Sequence, residues 1–235
     1  MHCEIQYQPS YSLAIVTLEH GEKIMAESGA MVSMSPTIQL DAQMAGGGLF
    51  GAVKSMVGGE SFFRSTLTAE RGRGEVTLAP GTMGDIMQIE LRGEKLMVQP
   101  GSYLAGPADL DVQTVGSLKG MLSGEGLFLL TVQGNGPLLV SSFGAIHALT
   151  LDAGEEYIVD TSHIVAFDSS VTYRIEKAVG KTQGVGGFLK GLAKSAMSGE
   201  GFVCRYTGPG RVYLQTRAIE NFVRTLMPFL PKPSN

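Results

Sequence analysis

The sequence predicts an all-β protein built from three internal repeats. Two observations carry that prediction. A ten-residue pattern, G-x-x-K-x-x-x-x-G-E, occurs three times, and short apolar runs rich in β-branched residues alternate with glycine-bearing turns along the chain. The pattern stands at Gly51, Lys54, Gly59 and Glu60, again at Gly116, Lys119, Gly124 and Glu125, and again at Gly191, Lys194, Gly199 and Glu200.

Each copy sits inside a longer match. Gly21-Glu22, Gly93-Glu94 and Gly154-Glu155 precede the motif, and Gly72-Arg73-Gly74, Gly134-Asn135-Gly136 and Gly208-Pro209-Gly210 follow it. Between them, Ser35-Pro36-Thr37, Gly106-Pro107-Ala108-Asp109 and Asp168-Ser169-Ser170 supply turn signals at matching places. Strands are expected around 12–18 and 86–91, then at Ile38–Ala42, Leu110–Val112 and Val171–Ile175. Further strands are expected at Phe62-Phe63, Gly126–Val132 and Phe202–Tyr206, and finally at Val76–Leu78, Leu138–Val140 and Val212–Leu214. That is roughly four strands per unit and about a dozen in all. The units run from about 12–85, 86–146 and 147–218 in a single β domain covering 1–235, because one unit of roughly 60 residues leaves its apolar face open.

Helical spacing occurs in three places. Leu49-Phe50, Val53 and Met56-Val57 recur at i, i+3, i+4 and i+7, as do Phe188-Leu189, Leu192-Ala193 and Ala196-Met197. The tail, 217–230, spaces Ile219, Phe222, Val223, Leu226 and Met227 in the same way, and Pro228 and Pro231 end it. Its broad stripe predicts burial, across a sheet end or against another subunit, over a place on a membrane surface.

Composition narrows the function classes. Hydrophobic residues make up 43%, with 12 methionines and no tryptophan, which predicts a core of aliphatic and Met side chains. A net charge of −4 counts against a dedicated nucleic-acid binder, which carries a basic stripe. The start, Met1-His-Cys-Glu-Ile-Gln6, has no basic segment followed by an apolar one, and no run reaches the length of a membrane-spanning helix. Cys3 and Cys204 form no framework, so reduced thiols in a cytoplasmic protein are expected.

The repeated residues are the candidate site. Glu60, Glu125 and Glu200 can converge on an axis and hold a cation, or each can accept backbone N–H bonds at a turn, which is the expected role of a repeated residue in a repeated structure. Lys54, Lys119 and Lys194 read first as a solvated face and second as a ring for phosphate or anionic lipid. The glycine-rich leads at 46–51 and 184–191 do not fit a phosphate-binding loop, because Leu192 follows where Lys-Ser/Thr is required. His2, His20, His147 and His163 lack metal-ligand spacing, and Ser141-Ser142-Phe143-Gly144 only approaches a nucleophile motif. No catalytic, metal or cofactor-binding residue is assigned, and no cofactor is expected.

The G-E starts, the glycine-rich lead into the motif at 46–63, and the G-x-G turns together resemble the bacterial and archaeal relatives of altered inheritance of mitochondria protein 24. The resemblance covers nearly the whole chain. It implies a fold like that of the trp RNA-binding attenuation protein, with three sheet-rich units in a pseudo-threefold, sandwich- or barrel-like order, and it implies no established activity. The expected function is therefore a non-enzymatic binding or scaffold protein of unknown ligand that self-associates as a homo-oligomer, with room for a protein partner. The alternatives are an RNA- or nucleotide-binding module, by fold analogy, and a peripheral membrane-associated scaffold, on the Lys-bearing amphipathic segments.

Overall fold

The computed structural model describes residues 1–43, 64–116, 127–177 and 202–231. In chain order its strands are β1 (His2–Gln6), β2 (Leu13–Leu18), β3 (Lys23–Glu27), β4 (Met31–Met34), β5 (Gln39–Gln43), β6 (Arg64–Thr68) and β7 (Gly74–Leu78). They continue with β8 (Ile86–Val98), β9 (Tyr103–Pro107), β10 (Asp111–Val115), β11 (Leu129–Ser141) and β12 (Ile146–Leu151). The last are β13 (Glu156–Asp160), β14 (Ile164–Asp168), β15 (Thr172–Lys177), β16 (Phe202–Thr207) and β17 (Gly210–Gln215), before one short helix, α1 (Ile219–Leu226). The pattern of β2 shows why these segments are strands: Ala14, Val16 and Leu18 are buried while Leu13, Ile15 and Thr17 are only half-buried, the period-two alternation of a sheet with one face on a core.

Three sheets result. One is β1-β2-β7-β4, and another is β13-β16-β15. The third is ten-stranded, running β12-β17-β14-β8-β11-β9-β3-β6-β5, with β10 also on β11. All neighbours are antiparallel. Three apolar clusters lie between the layers. The first gathers Val16, Leu18, Ile24, Leu67 and Leu78, the second Leu96, Val98, Tyr103, Leu138 and Val165, and the third Leu129, Phe167, Cys204 and Tyr206.

The all-β class is as expected, but the details differ in four ways. There are seventeen strands among the described residues rather than about a dozen. The additional ones, such as β3 and β13, are five residues long and carry charges at their ends, so their apolar content is too small to stand out. Gly93 and Gly134-Asn135-Gly136 are not turns: β8 and β11 run through them, 13 residues each, paired along their length with a register shift between Gln133 and Asn135. The sheets end in free edge strands, and no closed barrel forms among the described residues. The core holds no fully buried methionine among the described residues, while Tyr103, Tyr206 and Phe167 are its largest members.

The connections between strand groups meet at one place. Ser12 N–H donates to the Gly84 carbonyl (3.0 Å), Asp85 N–H to Gly144 (2.9 Å), and Gly144 N–H to Met83 (3.0 Å). The buried Asp85 carboxylate accepts from Ser12 Oγ (3.0 Å), Gln8 Nε2 (3.1 Å) and its neighbour's amide at Ile86 (2.9 Å). Gly84 is required here because of the close approach: a β-carbon at Gly84 would overlap the Ser142 carbonyl oxygen, whereas one at Gly81 meets open space. Gly84→Ala is expected to cost about 3 kcal/mol, in the range of overpacking against backbone. Gly81→Ala is expected to change stability by less than about 1 kcal/mol. Urea unfolding of the two variants checks the pair.

Candidate interaction surface

Eleven of the twelve repeated motif residues lie outside the described residues: Gly51, Lys54, Gly59, Glu60, Lys119, Gly124, Glu125, Gly191, Lys194, Gly199 and Glu200. The helical spacings at 49–57 and 188–197 also lie outside them. Gly116 is described. It has φ +80°, and a β-carbon there would overlap the Leu127 carbonyl oxygen, so glycine is fixed by both backbone conformation and space. What the structure does establish is where the three copies attach. The strands on either side of each copy pair directly: Gln43 lies opposite Arg64, Val115 opposite Leu129, and Lys177 opposite Phe202.

Ser142, His163 and His20, among the polar groups weighed above, are engaged in structure. Ser142 is buried, and its hydroxyl donates to the Gly144 carbonyl at 2.7 Å. His163 Nδ1 lies 2.7 Å from the Gln215 carbonyl, and His20 Nδ1 lies 3.2 Å from that of Ala69. Burial pushes both thiols, Cys3 and Cys204, up to about 11, so they stay protonated and weakly nucleophilic. Among the described residues no three His, Cys, Asp or Glu side chains are grouped to hold a metal.

Cations are similarly committed. Arg211 holds Asp168 through two side-chain bonds of 3.0 Å and its own amide at 2.8 Å. Arg174 and Arg205 are laced with Glu156 and Glu176 across β13, β16 and β15, and Arg73 pairs with Glu19. A shallow cavity of about 410 Å³ lies where β3 meets β9, lined by the amino terminus, Glu22, Lys23, Asp109 and Asn135 among others. The Met1 ammonium bonds Glu22 and, with the Glu19 amide, holds its carboxyl below the ordinary range.

The exposed apolar surface is at the C-terminus. Ala218 is buried and anchors α1, and Phe222 meets Phe143 edge-on at 5.5 Å between ring centres. Beyond that contact Ile219, Phe222, Val223 and Leu226 are all exposed, and so are Met227, Phe229 (84%) and Leu230. The sequence spacing predicted burial of this stripe. Within one chain the structure leaves the stripe uncovered: the strands are packed in clusters of their own, and Phe143 is the ring in contact with the helix among the described residues. The amphipathic pattern was visible in the sequence, but nothing in it specified what covers the apolar face. No helix among the described residues is long and apolar enough to cross a membrane.

Comparison with known proteins places this architecture. The family model described as mitochondrial biogenesis AIM24 matches residues 3–217. The chain belongs to that family. It is 33% identical over 244 residues to an uncharacterized protein of Streptococcus pyogenes serotype M6, covering all of this chain and 93% of that one. The crystal structure of a protein from Streptococcus pyogenes superposes with a TM-score of 0.80 at 32% identity, covering 97% of this chain and 99% of that one. The family membership expected from the motifs is therefore correct, and these relatives carry no assigned activity.

Glu27, at the end of β3, is the one carboxyl whose acidity moves close to neutrality among the described residues. Burial raises it from 4.5 to about 7. Because its folded-state value is raised, its stabilising contribution is complete below 4.5 and is lost as pH rises through about 7. Glu27→Gln is accordingly expected to be more stable than the parent at pH 8, by on the order of 2 kcal/mol, and nearly equal to it at pH 4.5. Thermal unfolding at the two pH values checks the sign.

Proposed function

We propose that this protein is a non-enzymatic scaffold that works by self-association, built from three copies of one six-strand unit in pseudo-threefold order within a single domain. Strand pairing supports the repeat. In each unit the first strand pairs with the last: β2 with β7, the first half of β8 with the second half of β11, and β12 with β17. The second pairs with the fifth: β3 with β6, the second half of β8 with the first half of β11, and β13 with β16. The third strand crosses to the sixth with a register shift in every case, between Met31 and Ser33, between Leu139 and Val140, and between Ile164 and Ala166. Six strands per unit replace the four expected from sequence.

The observation that carries the scaffold reading is the apolar face of α1 and the residues after it. Monomeric proteins rarely leave a contiguous apolar patch uncovered. The occupant that fits best is α1 of a second copy. The face is self-complementary about a twofold axis, and an antiparallel pair brings Glu220 of one helix near Arg224 of the other. Engagement of Arg73, Arg174, Arg205 and Arg211 by carboxylates, together with the net charge of −4, counts against the RNA-binding alternative. A cytoplasmic location is part of the same proposal.

Native mass spectrometry tests this reading. The wild type is expected to appear as multiples of the 24.9 kDa chain, and the variant carrying both Phe222→Ser and Leu226→Ser as a smaller assembly with unchanged circular dichroism. A wild type that stays at one chain in micromolar solution would overturn it. Flotation of the wild type, but not the variant, with anionic vesicles would replace it with the membrane scaffold.

A further inference from the structure

Two strand positions meet twice inside the chain. The second strand of the first unit lies beside the third strand of the next, β3 against β9, with Met25 opposite Gly106. The second unit repeats this against the third, β8 against β14, with Met97 opposite Phe167. Main-chain bonds flank both junctions: Ala108 N–H to the Lys23 carbonyl (3.3 Å), Ser169 N–H to Lys95 (3.1 Å) and Gln99 N–H to Val165 (2.9 Å). These contacts merge two three-stranded groups, β12-β17-β14 and β3-β6-β5, with the four strands β8, β9, β10 and β11 into the ten-stranded sheet.

The series has two ends. At one, β4 bonds β7 and closes its sheet; at the other, β13 bonds β16 and closes its own. Each is the same strand position that is paired on both sides within the interior of the chain. Their outward residues are apolar and uncovered: Val32 is 60% exposed, Met34 39%, Tyr157 44% and Ile158 49%. The residue at the Tyr157 position is 1% exposed in β3 (Ile24) and 0% in β8 (Leu96). Free edges are ordinarily guarded by charge, yet β4, Met31-Val32-Ser33-Met34, carries none.

We propose that β13 of one copy adds to β4 of a second copy, head to tail, making between chains the junction that the chain makes twice within itself. This rests on the three-unit, self-associating reading above and adds to its α1 contact a second, head-to-tail interface. The internal junctions fix the register. Counted from Gly21, Gly93 and Gly154, Ile158 stands where Met25 and Met97 stand. Counted from the register shift on each third strand, Met34 stands where Gly106 and Phe167 stand. Ile158 therefore faces Met34, Tyr157 faces Ser35 and Val159 faces Ser33. Pro36 occupies the position from which Ala108 and Ser169 donate, so this junction has one hydrogen bond fewer than its internal counterparts. The contact joins different surfaces of the two copies, so repetition yields a ring or an open string.

Cysteine pairing reads the register directly, because residues opposite one another across antiparallel strands have the Cα separation that a disulfide needs. In a Cys3→Ser background, Met34→Cys and Ile158→Cys chains are mixed and oxidised gently. The expected result is a disulfide dimer containing one chain of each kind, absent when either is oxidised alone. Ile158→Lys is expected to weaken wild-type assembly about tenfold in analytical ultracentrifugation, the cost of one unpaired charge at a strand junction. Met34→Glu placed in the same chain is expected to restore it. If the wild type is assembled but the mixture does not cross-link, this interface is wrong while the scaffold reading survives. A chain carrying both cysteines that closes on itself as a monomer also overturns it, because the edges then meet within one copy. A monomeric wild type removes both proposals.

Discussion

The constraint on which this structure depends is that short strands cannot stand as isolated pairs. Apart from β8 and β11, its strands are four to six residues long, too short for any two of them to be stable alone. Stability comes from joining small sheets edge to edge. The 13-residue strands β8 and β11 do most of this: they pair along their length, and Leu139 and Val140 of β11 carry β9 while Leu96 to Val98 of β8 carry β14. The lateral contacts of β3 with β9 and of β8 with β14 complete the ten-stranded sheet. Three modest apolar clusters then suffice where one large core would otherwise be needed.

The crossing of connections at Gly84 and Gly144 follows from the same arrangement. Where links between strand groups are brought together, their amides and carbonyls need partners in a crowded space. They find one another across the Gly84–Gly144 bridge and at the Asp85 carboxylate. The described polar side chains are used in the same structural way: Asp168 ties Arg211, Ser142 and His163 satisfy carbonyls, and the Glu156, Glu176, Arg174 and Arg205 set covers an outer sheet face. Groups committed to holding backbone in place are poor candidates for proton transfer, which is the physical support for reading the protein as a scaffold.

Much of this was legible in the sequence because glycine and proline mark turns by mechanism rather than by tendency. The turns at Gly21, Gly154 and Ser35-Pro36 appear as read, and β2 and β17 lie where alternating residues put them. The reading failed where local signal and tertiary partner diverge. Gly93 and Gly134 carry turn chemistry, yet pairing of β8 with β11 draws the chain straight through them with positive φ at both. Among the described residues the methionines reach only the margins of the core, Met1, Met31, Met87 and Met97 packing against it half-buried, whereas Tyr103 and Tyr206, polar at one end, went deep inside it. The α1 stripe identified an apolar face, but covering that face is a property of a partner surface and leaves no periodic trace.

On the three-unit reading proposed above, the unequal burial of the third strands is the most informative difference between the units. The internal third strands, β9 and β14, are buried at four of five positions, while β4 is half-buried at Met31 and exposed thereafter. A strand meant to stay permanently uncovered would be expected to gain charge; one meant to be permanently covered would keep the bulky apolar character of Tyr103 or Phe167. β4 has neither, placing Ser33 between Val32 and Met34, with Pro36 removing a donor just beyond. Such an edge loses little when exposed and gains modestly when paired. That balance suits a contact that forms and breaks with concentration, and it distinguishes the ends of the series from its two internal junctions, which the covalent chain holds together regardless of their strength.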